Sequence, residues 1–234
     1  MLAVVLDVEI RPFGSTLFRR PWRVEPNYEH KEEQNVQGLP DDGDVARWVH
    51  HGPARRRQNP AGIDGMRLMD WLGEGGEGGN DPNDYRPTDP SSRLVFDEAM
   101  SSGAVITARR TGDFAGYWGG DHHNGVPIFV PTHHRPPDNP YERVHFVTDG
   151  IASCVRQAKD AAGDRDVMLH GAYTAQECLK AGVLDAIEIQ LRPVLLGQGR
   201  RLFDNLPAEH IELNLVRALQ APGTLHLRYD VQSH

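Results

Sequence analysis

From Gly103 to its end the chain alternates short apolar runs with helical segments, and this alternation limits the folds open to it. "AVITA" (104–108), "VPIFVP" (126–131), "RVHFVTDG" (143–150), "DVMLHG" (166–171) and "AIEIQLRPVLLG" (186–197) are apolar runs bounded by turn residues. Runs of that length read as buried strands. Ile151 to Ala162 and Thr174 to Ala181 carry helical patterns between them. A helix between two strands makes them parallel neighbours, so the strands are buried on both faces. The pattern then changes. "HIELNLVRAL" (210–219) and "TLHLRYDV" (224–231) alternate strictly and are separated by "QAPG", which predicts an antiparallel hairpin. The expected class is α/β: a three-layer sandwich, mostly parallel, with helices on both faces and an antiparallel C-terminal hairpin.

The first quarter of the chain has a different character. Residues 1–58 hold one plausible strand, Leu2 to Ile10, the only segment there expected to enter the sheet. Residues 11 to about 58 lack periodic apolar faces and are expected to be poorly ordered. The domain proper is expected over 59–234, within the 234 residues that suit one large domain. It includes a short helix, Met66 to Leu72, a Gly/Pro/Asp-rich loop at 75–92, and a helix from Ser92 to Met100.

Charge and composition exclude several function classes. A formal net charge of −8, with no continuous basic stripe, argues against nucleic acid as a partner. An anionic ligand would need a local cluster of arginines or backbone donors. No apolar run approaches the ~18 residues of a membrane span, and "MLAVVLDVEIRPF" lacks a basic n-region and cleavage site. The expected compartment is the cytoplasm, with no membrane partner. Cys154 and Cys178 read as small core residues.

Three strand ends are candidates for ligand binding. Arg109-Arg110-Thr111 follows "AVITA", and paired guanidiniums suit phosphate oxygens. Thr132-His133-His134 follows "VPIFVP". His170-Gly171-Ala172 breaks the strand "DVMLHG" at a glycine, exposing backbone N–H groups at the start of the next helix. Open α/β sheets bind ligands outside their strands' carboxyl ends, so the three ends together outweigh each alone. A metal site built from Asp121, His122, His123, His133, His134 and His170 is not expected. Adjacent histidines on an extended segment point oppositely, and most of the 12 histidines are expected at the surface or in hydrogen bonds. "LLGQGRRLF" reads as a tight connection packing Leu202 and Phe203.

The stretch "FVTDGIASCVRQAKDAAGDRDVMLHGAYTAQECLKAGVLDAIEIQLRPVLLGQGRRLF", with "GAVITARRTGDFAGYW" and "WGGDHHNGVPIFVPTHH" upstream, resembles the C-terminal reductase domain of the bifunctional riboflavin-biosynthesis deaminase-reductase. That domain belongs to the dihydrofolate reductase-like superfamily. The resemblance covers roughly Asn59 to the end. It implies an NADPH cofactor and reduction of a pterin- or ribosylaminopyrimidine-like heterocycle. Ala108, Arg109, Arg110 and Thr111 match the Gly-Arg-x-Thr turn that holds the cofactor's phosphates, with alanine in the glycine position. Thr132 and His133 match the turn beside the adenosine. His170-Gly171 matches a Gly-Gly pair, often cis, before the pyrophosphate helix, which Ala172, Tyr173 and Thr174 begin here. Asp70 in "RLMDWL" matches a substrate-binding carboxylate beside a tryptophan and is the catalytic candidate. The Ser-Leu-Asp-Gly turn expected after the first strand has no counterpart in "RPFGST". This leaves the alternative of a non-catalytic protein that binds a nucleotide or dimerises. A homodimer is an assembly open to either reading.

Overall fold

The computed structural model describes residues 3–10, 49–51, 65–73, 82–196, 200–204, 206 and 209–232. Four parallel strands form one half of the sheet: β3 (Ala104–Thr107), β4 (Ile128–Pro131), β5 (Val144–Val147) and β6 (Val167–His170), in the order β5-β4-β3-β6. The order continues through β1 (Ala3–Ile10), β7 (Ala186–Arg192), β10 (Thr224–Val231) and β9 (Leu213–Ala221), all antiparallel to their neighbours. Two short strands, β2 (Val49–His51) and β8 (Arg200–Arg201), pair off this path.

The α/β class with an antiparallel C-terminal hairpin holds, and the antiparallel half extends beyond that hairpin to β7 and β1. Val49–His51 also enters the sheet beside β1, so Leu2 to Ile10 is not the only N-terminal segment that does. The expectation for 11–58 otherwise lies outside the described residues.

The parallel strands are buried because both faces are covered. Ala104, Ile106, Val167, Leu169, Ile187 and Ile189 face one core with α3 (Ile151–Ala162) and α4 (Ala172–Lys180). In α3, Cys154, Val155, Ala158 and Ala162 are buried, a stripe one helix face can present. The alternate residues Val105, Met168, Ile128 and Val130 pack on the opposite face with Tyr117 and Val126. There α1 (Pro90–Ala99) lies over the antiparallel half, Val95 packing with Trp71 and Leu72. Asp89 caps α1, its Oδ1 accepting from the N–H groups of Ser91 (2.9 Å) and Ser92 (3.1 Å), with Pro90 in the first turn. Residues 65–72 form two 3-10 turns rather than the α-helix expected over Met66 to Leu72. Leu202 is 1 % exposed, as the tight-connection reading requires.

The registers put both halves on one edge. Val8 pairs with Leu169 on one side and with Ile187 on the other. Strand β6 ends one residue after Leu169, whereas β7 ends five after Ile187. So β7 runs in the same direction as β6 and projects beyond it, flanking the space outside the ends of the parallel strands.

Candidate functional site

All four parallel strands end on one cleft of about 620 Å³. Its walls are three loop-to-helix turns: Ala108 to Thr111, then Thr148 with Gly150 and Ile151, and Gly171 to Thr174, with Pro131 to His134 between. The three sequence-predicted strand ends therefore converge, with one exception. His170 does not line the cleft; its ring turns away, and the lining begins at Gly171.

Three helices start on this cleft, and none has a side-chain cap. The N-cap residues are Ala108 for α2 (Arg109–Ala115), Gly150 for α3 and Gly171 for α4, and none of them supplies a capping side chain; beside α3, Asp149 Oδ2 accepts from the Ser153 hydroxyl at 2.6 Å. The contrast with α1, capped by Asp89 and starting elsewhere, is informative. The first N–H groups of a helix have no partner within it and carry its positive dipole end. Three uncapped starts on one cleft present backbone donors of the kind that suit an anion. The charges agree, since Arg109 and Arg110 line the cleft and Glu177 is the one carboxylate among the described lining residues. Thr148, Gly150, Ile151 and Glu177 went unrecognised in the sequence. The signal was available in "TDGIASC", where a helix begins after a glycine, as in "LHGAYT".

The two arginines differ. Arg109 Nε donates to both carboxylate oxygens of Asp113 (3.0 Å each), and its guanidinium lies 5.3 Å from the Phe146 ring centre. Asp113 also accepts from Tyr117 Oη at 2.6 Å, and burial with this carboxylate raises the phenol's pKa. Arg110 is exposed over the Phe114 ring at 5.6 Å, with no ion pair among the described residues.

Gly171 is required where it stands. Its φ is +106°, and an added Cβ would lie 2.8 Å from Ala108 Cβ and 3.5 Å from Thr111 Oγ1. Ala108 N donates to His170 O at 3.1 Å, which ties the ends of β3 and β6 together. Alanine at 108 thus makes glycine obligatory at 171. No peptide bond among the described residues is cis, the His170–Gly171 bond included.

Asp70 lies outside the cleft lining. Its carboxylate is 3.4 Å from Arg192 Nη2 at the projecting end of β7, with its side chain 54 % exposed. Below this pair lies a buried polar layer. Gln190 and His226 pair across β7 and β10 and are both fully buried. Neither amide atom of Gln190, nor Trp71 Nε1, nor His226 Nδ1 has a partner among the described residues. Buried polar groups are rarely left without one.

The expectation that adjacent histidines point apart fails at 122–123. His122 and His123 are buried, with Nδ1 atoms 2.7 Å apart, and His122 Nε2 is 2.9 Å from His170 Nε2. A loop of positive-φ residues, not an extended strand, leads into them. Because His122 turns one nitrogen to each neighbour, the rings form a chain rather than a tripod. Among the described residues no group of three or more His, Cys, Asp or Glu is placed to hold a metal ion. Cys154 and Cys178 are buried, and burial pushes the Cys154 thiol up to about 12, as suits inert core residues. Among the described residues, no helix is long and apolar enough to cross a membrane.

Comparison with known proteins bears on the same region. Residues 84–227 match the family described as RibD C-terminal domain. Among solved structures, the "Putative riboflavin biosynthesis protein" of Shewanella sp. PV-4 is 21 % identical with a TM-score of 0.52, over 63 % of this chain and 83 % of that one. The deaminase/5-amino-6-(5-phosphoribosylamino)uracil reductase of Thermotoga maritima is 12 % identical with a TM-score of 0.48, over 62 % of this chain and 50 % of that one. A dihydrofolate reductase from Enterococcus faecalis, solved with NADP(H), is 15 % identical with a TM-score of 0.42, over 60 % of this chain and 82 % of that one. No curated protein sequence matches the chain significantly.

Proposed function

The chain belongs to the RibD C-terminal domain family, a family of reductase domains, and from that premise we propose that it is an NADPH-dependent reductase of a pterin- or ribosylaminopyrimidine-like heterocycle. The observation that carries the proposal is the convergence of three uncapped helix starts and two arginines on one cleft. A dinucleotide has the matching charge: a pyrophosphate and, in NADPH, a further phosphate.

The residues present fit that group. Arg109, Arg110 and Thr111 would hold the 2′-phosphate, Thr132 and His133 the adenosine side, and the first turn of α4, Ala172 to Thr174, the pyrophosphate. Gly171 lets the ends of β3 and β6 meet, since Ala108 takes the space a Cβ there would need. When bound, the nicotinamide supplies the hydride. The chain's own part is to bind and orient. Asp70, held by Arg192, orients the heterocycle at the projecting edge of β7, and the unpartnered Gln190 amide and Trp71 Nε1 suit a ring edge that both donates and accepts. Asp70's place outside the cleft and its ion pair with Arg192 favour a second reading, a nucleotide-binding protein without turnover. An NADPH-oxidation assay across a heterocycle panel separates the two.

The cofactor test is a titration of Arg109→Ala and Arg110→Ala. Each loses a charge-assisted hydrogen bond, ~1.5–3 kcal/mol, or roughly 10- to 150-fold in NADPH affinity. NADH binding barely changes. If both variants keep full NADPH preference, the cofactor assignment is wrong.

A further inference from the structure

Gly116 to Gly120 all have positive φ, with Tyr117 at 49° and Trp118 at 50°. Side-chain-bearing residues rarely adopt left-handed backbone, so surrounding contacts must hold this turn. Tyr117 is held by Asp113 and Phe146. Trp118 packs its ring against His122 (4.5 Å between centres) and His170 (5.6 Å). The strained turn therefore delivers an indole onto the histidine chain.

The chain's hydrogen bonds have one consistent direction. His123 Nε2 lies 3.2 Å from the Ser102 carbonyl and 3.3 Å from Ser102 Oγ; the carbonyl can only accept and the hydroxyl can also accept, so a proton on this nitrogen satisfies both contacts. His123 Nδ1 then accepts from His122 Nδ1–H, and His122 Nε2 accepts from His170 Nε2–H. His170 is the last residue of β6, and its carbonyl leads directly into Gly171, the N-cap of α4.

We propose that His122 is a positioning residue: through His170 it holds the Gly171–Ala172 bend, and so the start of α4 on the cleft, while the three imidazoles stay neutral. The dinucleotide consequence rests on the cofactor reading above; the hydrogen-bond chain does not. A proton added at His122 Nε2 or His123 Nδ1 would set two N–H groups head to head. The charged groups facing the chain are few. Asp121 favours and Arg165 opposes a charge on His123, His170 and His123 oppose one on His122, and His123 opposes one on His170. Burial dominates for all three rings and lowers their pKa values, that of His170 to about 4.

The test uses the full chain, His122→Asn (which cuts the link to His170 while keeping a donor toward His123) and His122→Phe as a second, apolar variant. Nitrogen NMR of the wild type should show His122 protonated at Nδ1, and His123 and His170 at Nε2. In both variants the Gly171 and Ala172 amides should exchange faster with solvent. With the start of α4 no longer held through His170, NADP+ affinity at pH 7.5 should fall in both variants. A different tautomer pattern, or variants that match wild type in amide exchange and in NADP+ affinity, would overturn the proposal. If wild type itself fails to bind NADP+, the cofactor reading falls separately, and tautomers and amide exchange alone decide on His122.

Discussion

Gly171→Ala isolates the constraint on which the cleft's geometry depends. Two costs add. At φ +106° and ψ 121° the backbone is one that residues with a Cβ rarely adopt, at about 1–3 kcal/mol. The new methyl would also lie 2.8 Å from Ala108 Cβ, inside the roughly 3.5–4.0 Å of a good carbon contact. Neither Cβ can rotate away, so a strand end must shift, an overpacking cost of about 1–3 kcal/mol. A loss of about 2–6 kcal/mol, set against the 5–15 kcal/mol of a typical domain, leaves a weakened protein. Ala108→Gly separates the terms. Position 108 is the N-cap of α2, where glycine is at least as good as alanine, so this change alone is nearly neutral. In the double variant the contact is relieved and the backbone cost remains, so urea unfolding should show a coupling of about 1 kcal/mol or more. Calorimetric titration with NADPH should show recovery in the same order. If Gly171→Ala costs under about 0.5 kcal/mol, or the two changes simply add, the glycine is not needed for the reason given.

The buried His226 predicts a pH dependence of stability. Burial, then Arg217 and Arg192, lower its pKa from 6.5 to about 4. The unfolded chain therefore binds more protons between those values, and stability is lost as pH falls from about 6.5 to about 4. His226→Gln should flatten that slope by up to about 3 kcal/mol in urea titrations across the window, and an unchanged slope would place the titrating group elsewhere. Arg217 bonds both oxygens of Glu98 (2.8 and 2.7 Å) and lies 3.3 Å from Glu188, which is 4 % exposed. Arg217→Met should destabilise by about 3 kcal/mol because it strips a cation from a buried carboxylate. Glu188→Gln in the same background should restore part of that loss, and no restoration would argue against the charge explanation.

Periodicity is a local property, and what it governs was legible. The five apolar runs became β3 to β7, the last two became the hairpin, and Ile151–Ala162 is a helix with the expected bounds. Because crossover segments join the parallel strands, their ends had to share an edge, so Ala108 to Thr111, Thr132–His133 and Gly171 to Thr174 meet in one cleft. Contacts between distant residues could not be read this way. The place of β1, antiparallel between β6 and β7, depends on backbone pairing that its side-chain pattern does not specify. By position His170 belongs with the cofactor turn, since it precedes the glycine, yet its ring pairs with His122, 48 positions away. His226 meets Ser92 across 134 positions. A histidine's charge and role follow from the groups that surround it once buried. A sequence shows that an imidazole is present; only the packed sheet decides whether it faces water, a ligand or another imidazole.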